Sequence, residues 1–119
     1  MIGQDARRVL RAGELEVRPD DNLALVNSHA LVLSARELAL LTTLVEEQGR
    51  VVPREELYTR VWRGEMRSDD RSVDVDIHKL RVKLADALPD RQFIHTHFGF
   101  GYRLEPRRSQ LGNTADTIR

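Results

Sequence analysis

The sequence contains no cysteine, so disulfide bonds and thiolate metal cages are excluded and a reducing compartment is expected. It also lacks a run of about 18 apolar residues, which a membrane-spanning helix requires, and residues 1–5 do not read as a signal peptide. An excess of charge of either sign is missing too, because lysine plus arginine and aspartate plus glutamate both number 19. We therefore expect one domain, located in the cytoplasm.

The neutral total charge by itself argues against nucleic-acid binding, since many DNA-binding domains have an isoelectric point above about 9. The local distribution is different, because residues 71–83 carry four basic side chains, one histidine and two acids. Affinity for DNA follows the number of phosphates that a protein neutralises. A single small basic patch therefore predicts weak binding by one copy of the domain.

The residues from 71 to 84 have the spacing of an amphipathic helix, predicted to run from about 72 to 87 and to stop at Pro89. One stripe of that helix is apolar and is expected in the core: Val73, Ile77, Leu80 and Leu84. The opposite face carries donors and methyl groups: Arg71, Val75, His78, Lys79 and Val82. Such a face suits the edges of base pairs in a nucleic-acid groove, although mixed charge on a helix is usually only a solvated surface.

A β-hairpin is predicted directly after this helix, with strands at 93–97 and 102–104. Its turn is Phe98-Gly99-Phe100-Gly101, and the glycines suit positions with positive φ. A helix followed by such a hairpin is typical of a winged helix-turn-helix, in which the hairpin is called the wing.

The residues before this pair predict a small antiparallel sheet and two further helices. Alternating or apolar runs at 15–18, 23–26 and 30–33 indicate the strands. Ser34-Ala-Arg-Glu37 is a capping box that begins a first helix ending at Gly49, and Pro53 opens a second. The fold class is α+β, with a linker remnant at 1–13, the domain at 14–105 and a disordered tail at 106–119.

Five segments, in this order and spacing, resemble the OmpR/PhoB family, the output domains of bacterial two-component response regulators. They are Leu33–Leu41, Gly49–Leu57, Val61–Trp62, Arg71–Leu84 and Gly99–Arg103. The resemblance implies a four-stranded N-terminal sheet, three helices and a C-terminal wing. It also implies sequence-specific DNA binding that regulates transcription, with the third helix in the major groove and the wing, at 93–104, touching the minor groove.

Functional positions of the family can be carried over to this chain one by one. Those that contact phosphate fall on Arg54, Trp62, Arg71, Ser72, His78, Arg81, Lys83, Thr96 and Tyr102. Those that face bases fall on Val75, Asp76 and Lys79, which suit a thymine methyl, cytosine N4 and guanine O6/N7 respectively. The loop that can face RNA polymerase corresponds to Arg63, Gly64, Glu65, Met66 and Arg67.

The chain departs from the family pattern at two positions. Many members have an arginine in the wing where this chain has Phe98, which cannot donate to minor-groove acceptors. We therefore expect the wing to add little base specificity. Pro53 occupies the place where serine or threonine usually caps the second helix, so that cap is lost.

The resemblance also implies partners that this sequence does not supply: a receiver domain and its sensor kinase. The linker remnant favours an excised C-terminal fragment over a stand-alone regulator. We expect a monomer that binds DNA as a tandem dimer, with no cofactor, no metal and no catalysis. Two alternatives stay open: a winged helix that binds another protein, and a small metal-dependent enzyme. His95 and His97 share a face of one strand and could bind a metal, but no third ligand is evident.

Overall fold

In the computed structural model, residues 8–109 are described, and they form two antiparallel sheets and three α-helices. The first sheet has the order β1 (Leu10–Ala12), β2 (Leu15–Arg18), β3 (Leu23–Val26) and β4 (His29–Ala30). The second has the order β5 (Val51–Val52), β7 (Gly101–Arg108) and β6 (Arg91–His97). The helices are α1 (Ala35–Glu46), α2 (Arg54–Trp62) and α3 (Ser72–Ala87), and a 3₁₀ turn covers Pro19–Asp21. This arrangement confirms the α+β winged fold.

The first strand lies inside the segment that the sequence indicated as linker. Leu10 pairs with Val17 and Ala12 pairs with Leu15, and the Ala12 side chain is buried. A strand of three residues is too short for its alternation to be distinguished from a polar linker. Only pairing with β2 reveals it.

The last strand extends three residues into the segment predicted as a tail. Arg107 pairs with Gln92 and Arg108 pairs with Arg91, beyond an irregularity in the register between Gln92 and Ile94. Pro106 falls at this irregularity, where its missing N–H interrupts the ladder least. The predictions for residues 1–7 and 110–119 lie outside the described residues.

Local signals for turns and helix starts are confirmed. Asn27 and Ser28 both have positive φ, as a tight two-residue hairpin turn requires, although β4 is shorter than predicted. The hydroxyl of Ser34 accepts from the Glu37 amide at 3.0 Å, and the Ser34 amide donates to Glu37 Oε1 at 2.9 Å. These two bonds complete the predicted capping box at the start of α1.

The predicted apolar stripe of α3 is buried in the core. Val73, Ile77 and Leu80 are fully covered, and Leu84 nearly so. They join apolar residues of α1, α2 and both sheets in one cluster. Because this stripe faces inward, the opposite face of α3 must face solvent. Among residues 8–109, no helix has the length and apolar character needed to cross a membrane.

Candidate nucleic-acid interface

The outer face of α3 presents the residues predicted to read bases. Val75 has 48% of its surface exposed, Lys79 is exposed and Asp76 is half-buried. His78 is exposed on the same helix. The helix N-terminus is held by Asp70, whose Oδ1 accepts from the Ser72 amide at 2.8 Å. An apolar methyl surface, an acceptor and a donor thus lie within one turn of a rigid helix.

Asp74, on the first turn of α3, joins this helix to α2 and to the wing. Arg54 of α2 donates to both of its carboxylate oxygens, at 3.0 Å and 2.9 Å. Tyr102 of β7 donates its hydroxyl to Oδ1 at 2.5 Å. Burial acts to raise the pKa of Asp74, but the bonds from Tyr102 and Arg54 outweigh it and hold this pKa below its usual value. Burial, together with the bond to Asp74, raises the pKa of Tyr102 to about 12.

Arg81 forms a second link between α3 and the wing. Its Nε donates to the Ile94 carbonyl at 3.2 Å and its Nη2 to the Thr96 hydroxyl at 2.5 Å. Its guanidinium lies 5.6 Å from the centre of the Tyr102 ring. Four of the predicted phosphate contacts, Arg54, Arg81, Thr96 and Tyr102, are therefore engaged inside the protein. Spacing along the sequence could not reveal these partners, because they come from other elements.

Lys83 was predicted to contact phosphate, but its ammonium group is engaged within the fold. Its Nζ donates to Glu37 Oε1 at 2.7 Å and to the Val32 carbonyl at 2.8 Å. Burial acts to raise the pKa of Glu37, but the bonds from Lys83 and the Ser34 amide keep it below its usual value. This ammonium group compensates a buried carboxylate, so its geometry favours a structural role over phosphate contact.

Trp62, at the end of α2, lies beside the N-terminal half of α3. Its ring stacks on Tyr58 with centres 5.2 Å apart and planes 4° from parallel. Arg36 of α1 lies over the other side, 5.0 Å from the ring centre. A shallow depression joins Arg36 and Trp62 to Arg71 and Ser72. This cluster brings two exposed arginines and an indole to the same side as the outer face of α3.

Arg36 was not among the residues predicted to contact DNA. A signal was present, because a cation in the first turn of a helix interacts unfavourably with the helix dipole, and an arginine placed there despite this cost indicates another role. Its stacking on Trp62 supplies one such role. Arg36 also adds a positive charge to this surface, which the neutral net charge of the whole chain does not indicate.

A groove separates the wing from the N-terminus of α3. Its lining includes Arg71 and Asp74 on the helix side, Thr96 and His97 on β6, and the whole turn of the wing. The Arg71 side chain is 73% exposed, with its Nη1 3.7 Å from the Asp74 carboxylate. Because Arg54 and Tyr102 already hold that carboxylate, Arg71 stays available to a ligand in the groove.

The turn of the wing is tight and ends in two exposed rings. The Phe100 amide donates to the His97 carbonyl at 2.8 Å, and Gly99 has φ of 83°. Gly101 has φ of 146°, and a Cβ there would lie 2.1 Å from the Val52 carbonyl oxygen. The glycine thus allows close packing against β5. Phe98 and Phe100 project with 88% and 76% of their surface exposed.

The loop predicted to face RNA polymerase begins at the end of α2. Arg63 has a positive φ and its amide donates to the Thr59 carbonyl at 3.1 Å. The Thr59 hydroxyl donates to the Gly64 carbonyl at 3.1 Å. Met66 packs partly against the core, whereas Glu65 and Arg67 are exposed. The loop is therefore anchored at its start and at Met66, and it presents Glu65 between these two points and Arg67 beyond them.

The two wing histidines do not form part of a larger ligand cluster. His95 Nε2 lies 2.7 Å from the Glu105 carbonyl oxygen, and burial lowers the pKa of this imidazole. Across residues 8–109, no group of three or more histidine, aspartate or glutamate side chains is arranged to hold a metal ion.

Residues 28–104 match the family described as the C-terminal domain of transcriptional regulatory proteins. The chain is 37% identical over 99 residues to the transcriptional activator protein IrlR of Burkholderia pseudomallei, covering 83% of this chain and 43% of the relative. It is 38% identical over 97 residues to the transcriptional regulatory protein CreB of Escherichia coli, covering 81% and 42%. The chain thus spans less than half the length of these relatives.

Two solved DNA-binding domains have a similar structure. The domain of CpxR from E. coli superposes with a TM-score of 0.76 at 30% identity, covering 82% of this chain and 96% of that one. The domain of RstA from Klebsiella pneumoniae, in complex with the RstA box, superposes with a TM-score of 0.75 at 27% identity, covering 84% and 99%.

Proposed function

The chain belongs to the family of transcriptional regulatory protein C-terminal domains, and we propose that it binds specific DNA sequences as the output domain of a two-component response regulator. One observation carries this proposal. The polar face of α3, the Arg36–Trp62 cluster and the wing line the same side of the molecule, with the open groove beside Arg71 between them. A helix and a hairpin in this arrangement match the shape of adjacent DNA grooves.

In this function α3 lies in the major groove and its outer face reads bases. Lys79 donates to guanine O6 or N7, and Asp76 accepts from the N4 amino group of cytosine. Val75 contacts a thymine methyl group. These three side chains are exposed or half-buried on a helix whose other face is fixed in the core.

The phosphate contacts divide into two groups by their geometry. Arg71, Ser72, His78 and Trp62 contact the backbone directly, together with Arg36. Arg54, Arg81, Thr96 and Tyr102 act mainly by holding the wing and α3 at a constant angle, since their polar atoms are engaged with one another or with Asp74. Lys83 has a structural role, because its ammonium group pairs with the buried Glu37 carboxylate.

The partners follow from the same function. A receiver domain on a longer chain, phosphorylated by a sensor kinase, would control the domain, and the loop at residues 63–67 would contact RNA polymerase. We place the protein in the bacterial cytoplasm, where these partners and the DNA are found. Its action is binding rather than catalysis. One copy is a monomer in solution, and two copies bind adjacent half-sites.

The deciding experiment is selection of bound duplexes from a random pool at constant salt, followed by affinity measurements at several salt concentrations. We expect one enriched motif and a logarithmic salt slope that is steeply negative, because phosphate contacts release counterions. A pool without enrichment and a binding constant insensitive to salt would contradict the proposal. That result would favour a winged helix that binds another protein.

A further inference from the structure

Among residues 8–109, the rings of the wing are the largest apolar side chains that the fold leaves exposed. Phe98 and Phe100 have 88% and 76% of their surface exposed. Burial of a phenyl ring is among the most stabilising apolar burials in a protein, so two rings left in solvent are unusual. Two such rings on one turn form an apolar tip rather than isolated surface residues. Exposed apolar groups that occur together indicate a binding surface.

The tip is held in place before any ligand arrives. The Phe100 amide closes the turn on the His97 carbonyl, and His97 pairs with Gly101 at the end of the strand ladder. Behind the turn, Tyr102 is bonded to Asp74 of α3. Binding of a partner to the rings therefore costs little free energy for ordering the hairpin.

The position of the tip identifies its partner. The rings form one side of the groove whose opposite side carries Arg71, and Asp74 between them is compensated by Arg54 and Tyr102. The helix side of this groove presents the exposed guanidinium of Arg71, with the exposed carboxylate of Glu55 also in the lining, and the wing side is apolar. A DNA strand complements both features, because its anionic phosphates can pair with Arg71 and its deoxyribose rings have apolar carbon faces that can contact the phenyl rings.

We propose that Phe98 and Phe100 enter the minor groove at the edge of the binding site and pack against deoxyribose faces of one strand, while Arg71 binds a phosphate of that strand. This inference rests on the proposed DNA binding and adds the chemistry of the wing contact. Deoxyribose is the same at every position, so the contact contributes affinity without base preference. An arginine in the wing would instead favour a narrow, A·T-rich groove.

Hydroxyl-radical footprinting tests the contact directly, because the radical removes hydrogen atoms from deoxyribose in the minor groove. The probe is the duplex enriched by selection, and the variant is Phe98→Ala combined with Phe100→Ala. We expect the wild-type domain to protect a short block of sugars at one edge of the site. The double variant should lose that block and retain the protection next to α3.

Equilibrium binding supplies a second readout. The double variant should bind about tenfold more weakly on selected and random duplexes alike, because the apolar contact with the sugars is lost. Its salt slope should equal that of the wild type, since no phosphate contact is removed. Phe98→Leu with Phe100→Leu keeps apolar bulk and should restore most of the affinity and the protected block.

Val32→Ala is the matched control, because it shortens an apolar side chain with 87% of its surface exposed outside the wing. It should leave the protected block unchanged. If the double alanine variant keeps both its affinity and the complete footprint, the wing proposal is wrong while DNA binding stands. If the wild-type domain enriches no duplex and protects no sugar, the proposed function and the wing contact both fail.

Discussion

The hydroxyl of Tyr102 donates a 2.5 Å hydrogen bond to Oδ1 of Asp74 and thereby joins the wing to the first turn of α3. Asp74 also receives two hydrogen bonds from Arg54 of α2, so three separate elements meet at one carboxylate. The consequence is geometric. The two parts of the domain proposed to enter adjacent DNA grooves cannot change their relative angle without breaking this network.

Tyr102→Phe should destabilise the domain by about 1–3 kcal/mol, because it removes a hydrogen bond to a charged and partly buried acceptor while it keeps the ring. The measurement is urea-induced unfolding followed by circular dichroism. Phe100→Leu, on the exposed tip, is the control and should change stability by less than about 0.5 kcal/mol. Equal stability of Tyr102→Phe and the wild type would show that the Asp74 network does not hold the wing.

Acid should destabilise the domain through two carboxylates. The pKa values of Asp74 and Glu37 are lowered in the folded state by their hydrogen-bond donors, against the effect of burial. Their contribution is therefore present above the ordinary carboxylate pKa, about 4, and is lost as the pH falls through the lowered folded values. Thermal unfolding between pH 7 and pH 2 should show the loss below about pH 4.

The pH dependence has its own control in Asp74→Asn, which removes one of these two partly buried carboxylates. This variant should be less stable at pH 7 and lose less stability on acidification than the wild type does. Parallel pH profiles for the variant and the wild type would exclude Asp74 as a source of the acid sensitivity.

Lys79→Ala should relax the preference at one base pair of the selected site and cost about 1–3 kcal/mol on that site. The reason is that a side chain hydrogen-bonded to a base edge distinguishes that base from the others. Arg71→Ala is the matched comparison and should weaken binding to all duplexes alike, reducing the salt slope by about one. The base-reading role of Lys79 is wrong if its variant loses affinity equally for selected and random DNA.

Lys83→Met should destabilise the fold and leave the salt slope of DNA binding unchanged. The substitution leaves the buried Glu37 carboxylate without its cationic partner, at a cost of about 1–2 kcal/mol after allowance for the partly exposed ammonium group. Chemical unfolding and salt-dependent binding measure the two effects separately. Pairing the change with Glu37→Gln should recover part of the stability. A slope reduced by about one, with unchanged stability, would instead make Lys83 a phosphate contact.

Inserting about five base pairs between two half-sites should abolish cooperative binding, because half a helical turn places the copies on opposite faces of the DNA. An insertion of about ten base pairs returns both copies to the same face of the DNA and serves as the control for the added distance. Two-site titrations by mobility shift give the cooperativity in each case. Cooperativity that survives the half-turn insertion would contradict side-by-side binding of two copies.

Local features of this protein follow from the sequence alone. The spacing of Val73, Ile77 and Leu80 indicated both the third helix and its buried stripe, since 3.6-residue periodicity directly encodes a helix face. Ser34 and Glu37 marked the start of the first helix because a capping box needs only four consecutive residues. The two glycines of the wing indicated its turn, because a positive φ is a local requirement that a single glycine satisfies.

Only the tertiary structure decided which polar groups are still available to a ligand. Asp74 and Tyr102 lie 28 residues apart along the chain, and nothing in their local spacing connects them. The pairing of Lys83 with Glu37 spans 46 residues and assigns that lysine to the fold. A residue's type and helix face are local properties, whereas its hydrogen-bond partner is supplied by whichever distant element packs beside it. The sequence therefore determined the elements and the side from which this domain meets its ligand, and packing determined which side chains on that side remain available for it.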